Sequence, residues 1–272
     1  MSPKLRSSFL KTTASLALVS ITLGVSGCGT SKMTTGSISR SASSQSLDSM
    51  NGQQLAASRE SIGRAYEKDP KNRDAAIAYA NVLRMTGQNE QALAVMRQTA
   101  IYHANDRAVL AAYGKALAAV GQFDGALDAI QRAQRPEFPD WKLLSAEGAI
   151  LDQLGRPEEA RDRYRKASDL QPNEASIQSN LGMSYLLQGD LKTAETYLGA
   201  AARSPGADST VRQNLALVIG LQGRFDEAEQ VARRELSPEQ AEANVAYLRR
   251  MLAQQDSLSK LKQEDGGQAS NG

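Results

Sequence analysis

The sequence predicts an all-α fold, a row of antiparallel helix pairs, from three observations. Glycines recur at positions 87, 121, 155, 189 and 223, always 34 residues apart. Five residues after each comes an alanine: Ala92, Ala126, Ala160, Ala194 and Ala228. The chain is rich in Ala, Leu, Gln, Arg and Glu and has only 5% aromatics, a composition that favours helix over sheet. A strict period of this length marks a solenoid, in which each helix pair buries its apolar face against its neighbours.

With each glycine as position 15, five units follow: 73–106, 107–140, 141–174, 175–208 and 209–242. Position 8 is always small (Ala80, Gly114, Gly148, Gly182, Ala216) and position 11 always large (Leu83, Leu117, Leu151, Tyr185, Ile219). Small residues at 8 and 20 let two helix backbones approach closely. Glycine at 15 closes the first helix in the left-handed conformation. Asp124, Glu158 and Asp226 then suit the positive end of the second helix, and Pro157 fits its first turn. The pattern resembles the tetratricopeptide repeat, which implies a right-handed superhelix of helix pairs. The ends are degenerate. LAASRESIGRAYEKDP reads as one N-terminal helix within 55–72. SPEQAEANVAYLRRMLAQQ starts with a Ser-Pro cap and reads as one closing helix; the part beyond the fifth unit, 243–259, is the capping helix, with a disordered tail at 260–272.

The leader MSPKLRSSFLK is basic, and an interrupted apolar run from Ala14 to Val25 follows. This describes an export signal over residues 1–27, too short and too broken to span a membrane. Cys28, the single cysteine, stands directly after Val25-Ser26-Gly27. The arrangement resembles the bacterial lipobox, which implies lipidation of Cys28 and a membrane tether. Gly29 and Thr30, with no Asp after the cysteine, favour the outer membrane by the same resemblance. Residues 28–54 read as a Ser/Thr/Gly-rich linker; its 22 residues from Gly29 to Met50 reach roughly 25 Å. The chain carries 32 basic and 30 acidic side chains, and three of the basic ones lie in the leader. That balance gives no case for nucleic acid.

No catalytic, metal or cofactor motif is present. His103 is the one histidine and reads as a helix-terminal residue; Trp141 reads as packing at a helix junction. No phosphate loop occurs, and the expectation is a non-enzyme without cofactor or small-molecule substrate. The repeat resemblance implies that first helices line a concave face through positions 2, 5, 6, 9 and 12. The candidates there are Asn81, Arg84 and Lys115 in the first two units. The fourth unit adds Ser179, Asn180, Met183 and Leu186, and the fifth adds Gln213, Asn214 and Leu217. Asn180 and Asn214 share position 6, where an amide could grip a bound peptide backbone. They could equally pack the superhelix interior. Ile77 and Ala111 occupy position 5, where a clamp for a terminal carboxylate needs lysine.

From Arg212, the stretch RQNLALVIGLQGRFDEAEQVARRELSPEQAEANVAYLRRMLAQQ resembles the TadD lipoproteins of the tight-adherence (Tad/Flp) pilus system. NLALV, GRFDEAE and NVAYLRRML carry the likeness, and the lipobox, tether and repeat number agree with it. It implies a scaffold at the periplasmic face of the outer membrane. Its partners would be the secretin or other pilus assembly components, with pilotin-like help as one mechanism. Alternatives are a repeat lipoprotein in outer-membrane protein assembly, an adaptor for cell-wall enzymes, or a hydrolase using groove carboxylates.

Overall fold

The structure, a computed structural model, describes residues 52–269, with side chains to residue 254. The signal segment, Cys28 and nearly all of the linker lie outside the described residues. Twelve helices and no strand are found among the described residues. They are α1 (Gly52–Lys68), α2 (Arg73–Met85), α3 (Asn89–Tyr102), α4 (Arg107–Ala119), α5 (Phe123–Ala133) and α6 (Trp141–Gln153). Then come α7 (Pro157–Leu170), α8 (Ala175–Leu187), α9 (Leu191–Arg203), α10 (Ser209–Leu221), α11 (Phe225–Ala232) and α12 (Pro238–Ala269).

Each even-numbered helix from α2 to α10 pairs with the odd-numbered one after it. The turn between them is one design used five times. Gly87, Gly121, Gly155, Gly189 and Gly223 all have φ between 72° and 81°, where a Cβ would crowd the backbone. The amide after each glycine donates back to the carbonyl of the large residue at position 11, as Gln122 does to Leu117 at 2.9 Å and Arg156 to Leu151 at 2.9 Å. These bonds satisfy carbonyls that the helix end leaves free.

A second phase-locked device starts the first helices. Asn72, Asp106, Asp140, Glu174 and Asp208, also 34 apart, each accept a backbone N–H of the following turn through the side chain. The distances include 3.0 Å for Asp106 with Val109 and 2.9 Å for Asp208 with Val211. Such caps satisfy an orphan donor. They make every 34-residue unit self-punctuating at both ends of its first helix.

The core lies between paired helices. The position-20 alanines are all essentially inaccessible. A Cβ on Gly182 would come within 2.6 Å of Leu198 Cγ and 3.0 Å of the Ala194 carbonyl; one on Gly148 would meet Tyr164 Cε1 at 2.6 Å. Position 8 is therefore small because the partner helix occupies the space. At the N-terminal end α1 packs on α2, with Tyr66 stacked on Tyr79 at 5.3 Å.

The C-terminal end departs from the strict count. α11 has only 8 residues, and α12 starts at Pro238, at the Ser-Pro cap seen in the sequence and inside the fifth unit's 209–242. Ser237 and Gln240 form a reciprocal cap across this start. Proline can begin a helix but not continue one, so Ser237-Pro238 overrides the 34-residue phase. α12 continues through 260–269, expected as tail, to Ala269. The run LSKLKQED consists largely of good helix formers, which favours continuing the helical backbone.

Candidate functional site

First helices of successive units touch one another along the whole array: α2 with α4, α4 with α6, α6 with α8, α8 with α10 and α10 with α12. Successive second helices show no comparable pairing among the described residues. The first helices thus form the tighter layer, which is the inner face of a curved stack.

Two polar links join that layer. Asn180 Nδ2 donates to Ser145 Oγ at 2.9 Å, and Asn214 Nδ2 donates to Ser179 Oγ at 3.3 Å. Each runs from position 6 of one unit to position 5 of the unit before. Both asparagines therefore have a structural task, spacing the inner helices. One N–H per amide serves the ladder, and the carbonyl oxygen is left to accept from another partner. Ser145, the partner of Asn180, was not singled out by the sequence; serine at position 5 becomes informative only when the neighbouring asparagine is seen to reach it.

The other candidates divide by unit. Asn81, Arg84 and Lys115 are half-buried in the first two units, and Ser179 is buried. Met183 and Leu186 lean on the cluster of Ala194, Leu198 and Val218, so part of their surface seals the fourth unit against the fifth. Gln213 is exposed and donates to Ser209 Oγ at 2.8 Å. Leu217 is 37% exposed and Leu187, one turn from Met183, is 58% exposed. The structure thus brings Asn180, Met183, Asn214 and Leu217 together on α8 and α10. It leaves Lys115 on α4, two units before α8, and Asn81 and Arg84 on α2, three units before it.

A polar knot sits at the junction of the third and fourth units. Asp152 on α6 accepts from Ser184 Oγ of α8 at 2.8 Å and from Tyr164 OH of α7 at 3.0 Å. Burial pushes the Asp152 carboxyl above its ordinary range, while these hydrogen bonds and nearby Arg161 pull it back. Tyr164 is held well above the usual phenol range by burial and by the adjoining carboxylate. Arg161 pairs with Glu158 and lies over the Tyr185 ring, its Cζ 4.8 Å from the centroid. Tyr185 in turn stacks on Tyr197 at 5.4 Å. These contacts tie α6, α7 and α8 together, with Tyr197 of α9 at their edge. His103 likewise has a structural partner, its Nε2 donating to the Lys71 carbonyl at 2.8 Å. Trp141 packs against Leu144, Ala167 and Ile177. Among the described residues no helix is long and apolar enough to cross a membrane.

A stack of helical hairpins with an inner layer of amide and apolar side chains is a helical-repeat scaffold, a class that works by holding other proteins. Tetratricopeptide-repeat models match residues 53–116, 145–210 and 211–234, together more than half of the chain. The chain belongs to the tetratricopeptide-repeat family, whose repeats make non-enzymatic scaffolds for protein–protein interaction. No curated protein sequence matches it. Among solved structures it is similar to the Cut9-Hcn1 hetero-tetramer of the APC/C, with 15% identity and a TM-score of 0.59, over 74% of this chain and 40% of that one. It is also similar to human IFIT1, in a dimer with m7Gppp-AAAA, with 15% identity and a TM-score of 0.61, over 71% and 49%. The chain spans less than half of either. Pseudomonas aeruginosa pilF aligns over 66% of this chain and 82% of that one, with 18% identity and a TM-score of 0.49. Likeness at these identities shows the fold alone.

Proposed function

We propose that this protein is a membrane-tethered scaffold that captures a segment of a partner protein on the inner face of its last repeats. The reading rests chiefly on the exposed Leu187 and Leu217 beside the amides of Asn180 and Asn214. Apolar side chains would take up the partner's side chains, and amide carbonyls would accept its backbone N–H groups. The tether is the lipid proposed for Cys28, placed on the periplasmic side of the outer membrane. Anchoring would raise the local concentration of the scaffold for other membrane components. The likeness of the stretch from Arg212 onward to TadD lipoproteins supports a role in assembling a Tad/Flp-type pilus machine. The secretin or another assembly component would then be the partner.

The test is crosslinking in intact cells. A photoreactive residue in place of Leu217 is expected to attach to a component of the secretion machine. Asn180→Ala combined with Asn214→Ala should weaken that product. Equal recovery of the same partners by wild type and double variant would sink the groove reading.

A further inference from the structure

The closing helix α12 carries the inner face one helix further, on residues that the 34-residue count does not pick out. Two contacts set its phase. Where the third unit meets the fourth, Leu181 joins Leu151, Ala160 and Tyr164 in one buried cluster, and Ser184 reaches Asp152. At the last junction Val245 joins Ile219 and Ala228, the counterparts of Leu151 and Ala160. Gly220 stands in the place of Asp152, and a Cβ on it would lie 2.5 Å from Leu248 Cδ2. Val245 therefore takes the place of Leu181, and Leu248 that of Ser184. The phase has slipped by four residues, about one helical turn.

Counted from those contacts, Asn244 falls in the row of Asn180 and Asn214. Tyr247 falls in the row of Met183 and Leu217. Met251 falls in the row of Leu187 and Leu221. Tyr247 is 59% exposed and Met251 41%. With Leu187 and Leu217 they make four of the nine large apolar side chains exposed among the described residues, and these four fall into two rows on three adjacent helices. Scattered exposure needs no explanation, but an aligned apolar surface does. Charge narrows its occupant. Across the inner rows of α8, α10 and α12, at positions 2, 5, 6, 9, 12 and 13, Arg250 is the one charged residue. Its helical neighbours are Ala246, Tyr247, Ala253 and Gln254, none of them acidic.

We propose that α12 completes a docking surface over the last two repeats for an extended, apolar segment of a partner protein bearing one carboxylate, which meets Arg250. Extended backbone is favoured over helix because the amide row offers carbonyl oxygens, and only an extended strand has free N–H groups to give them. The inference rests on the inner-face reading above and adds Asn244, Tyr247, Arg250 and Met251 to it.

Fluorescence anisotropy with the purified chain and labelled synthetic octapeptides of Val, Leu and Ala tests this. One peptide carries a single Glu and an amidated end, a second carries Gln in its place, a third has Lys, and a fourth has only a free terminal carboxylate. The Glu or the free-carboxylate peptide is expected to bind about tenfold more tightly than the Gln peptide, and which of the two does so identifies the source of the carboxylate. Tyr247→Ala with Met251→Ala should weaken binding by about tenfold or more. Arg250→Glu should reverse the preference towards Lys. If Asn180→Ala with Asn214→Ala weakens binding and the α12 variants do not, the extension is overturned and the inner-face reading stands. If no peptide binds, or no variant matters, both are overturned. A dimer in sedimentation that Tyr247→Ala with Met251→Ala dissociates would assign the surface to a second copy and overturn the proposal.

Discussion

Gly121 and Gly182 are glycines for different reasons. Gly121 has φ 79° and open space where a side chain would go, whereas Gly182 is helical and faces Leu198. Alanine at 121 should cost about 1–2 kcal/mol through the left-handed backbone; alanine at 182 should cost about 1–3 kcal/mol through overpacking. Asparagine separates them. It tolerates the left-handed region, so Gly121→Asn should be milder than Gly121→Ala, while Gly182→Asn should be worse than Gly182→Ala, both read as urea midpoints. Asp152 gives a pH test. Its folded carboxyl lies above the ordinary value of 3.8, so the folded state holds the proton more tightly than the unfolded chain. Its contribution is fullest below that value and falls as pH rises through the raised one. Asp106 runs the other way. The Arg73 guanidinium holds it low, so its contribution is present above 3.8 and is lost as pH falls. Asp152→Asn should therefore flatten the decline in stability as pH rises above the ordinary carboxylate value. An unchanged slope would remove Asp152 from that account.

The helices show where local rules suffice and where they yield. Glycine, cap and proline signals place the hairpins because each acts within one turn of its own residue. The closing helix is different. It starts at the Ser237-Pro238 cap that the sequence itself shows, inside the fifth unit's 34-residue count, and α11 shortens to match. The cap makes this testable. Ser237→Ala should destabilise the start of α12 by about 1 kcal/mol, seen as faster amide exchange from Gln240 to Val245. Exchange in α2 to α5 should be unchanged, since contacts in a solenoid run only between neighbours. Faster exchange spread evenly over all repeats would contradict that local coupling.

On the scale of the molecule, the proposed function needs an anchor, a reach and a surface. The anchor and reach belong to segments outside the described residues, so their test is biochemical. Cys28→Ser is expected to abolish labelling by a radioactive fatty acid and to move the protein out of the membrane fraction. Persistent labelling would refute the lipid assignment. The surface is where sequence reading reached its limit. Asn180 and Asn214 were legible as a row because repeats align them, yet their bonds to Ser145 and Ser179 were not, since those cross between units about 35 residues apart.

The sequence by itself determined the repeat: its period, its two helices per unit, the glycine turn, and the small residues at positions 8 and 20. Those features depend on backbone conformation and on contacts within one hairpin, which recur identically and so leave a visible period. Only the tertiary structure decided which inner residues are spent on holding helices together and which remain open. It also decided the phase of α12, because that is set by where Val245 and Leu248 fit against Ile219, Ala228 and Gly220. Such a fit is a property of two surfaces meeting, and no count along one chain contains it.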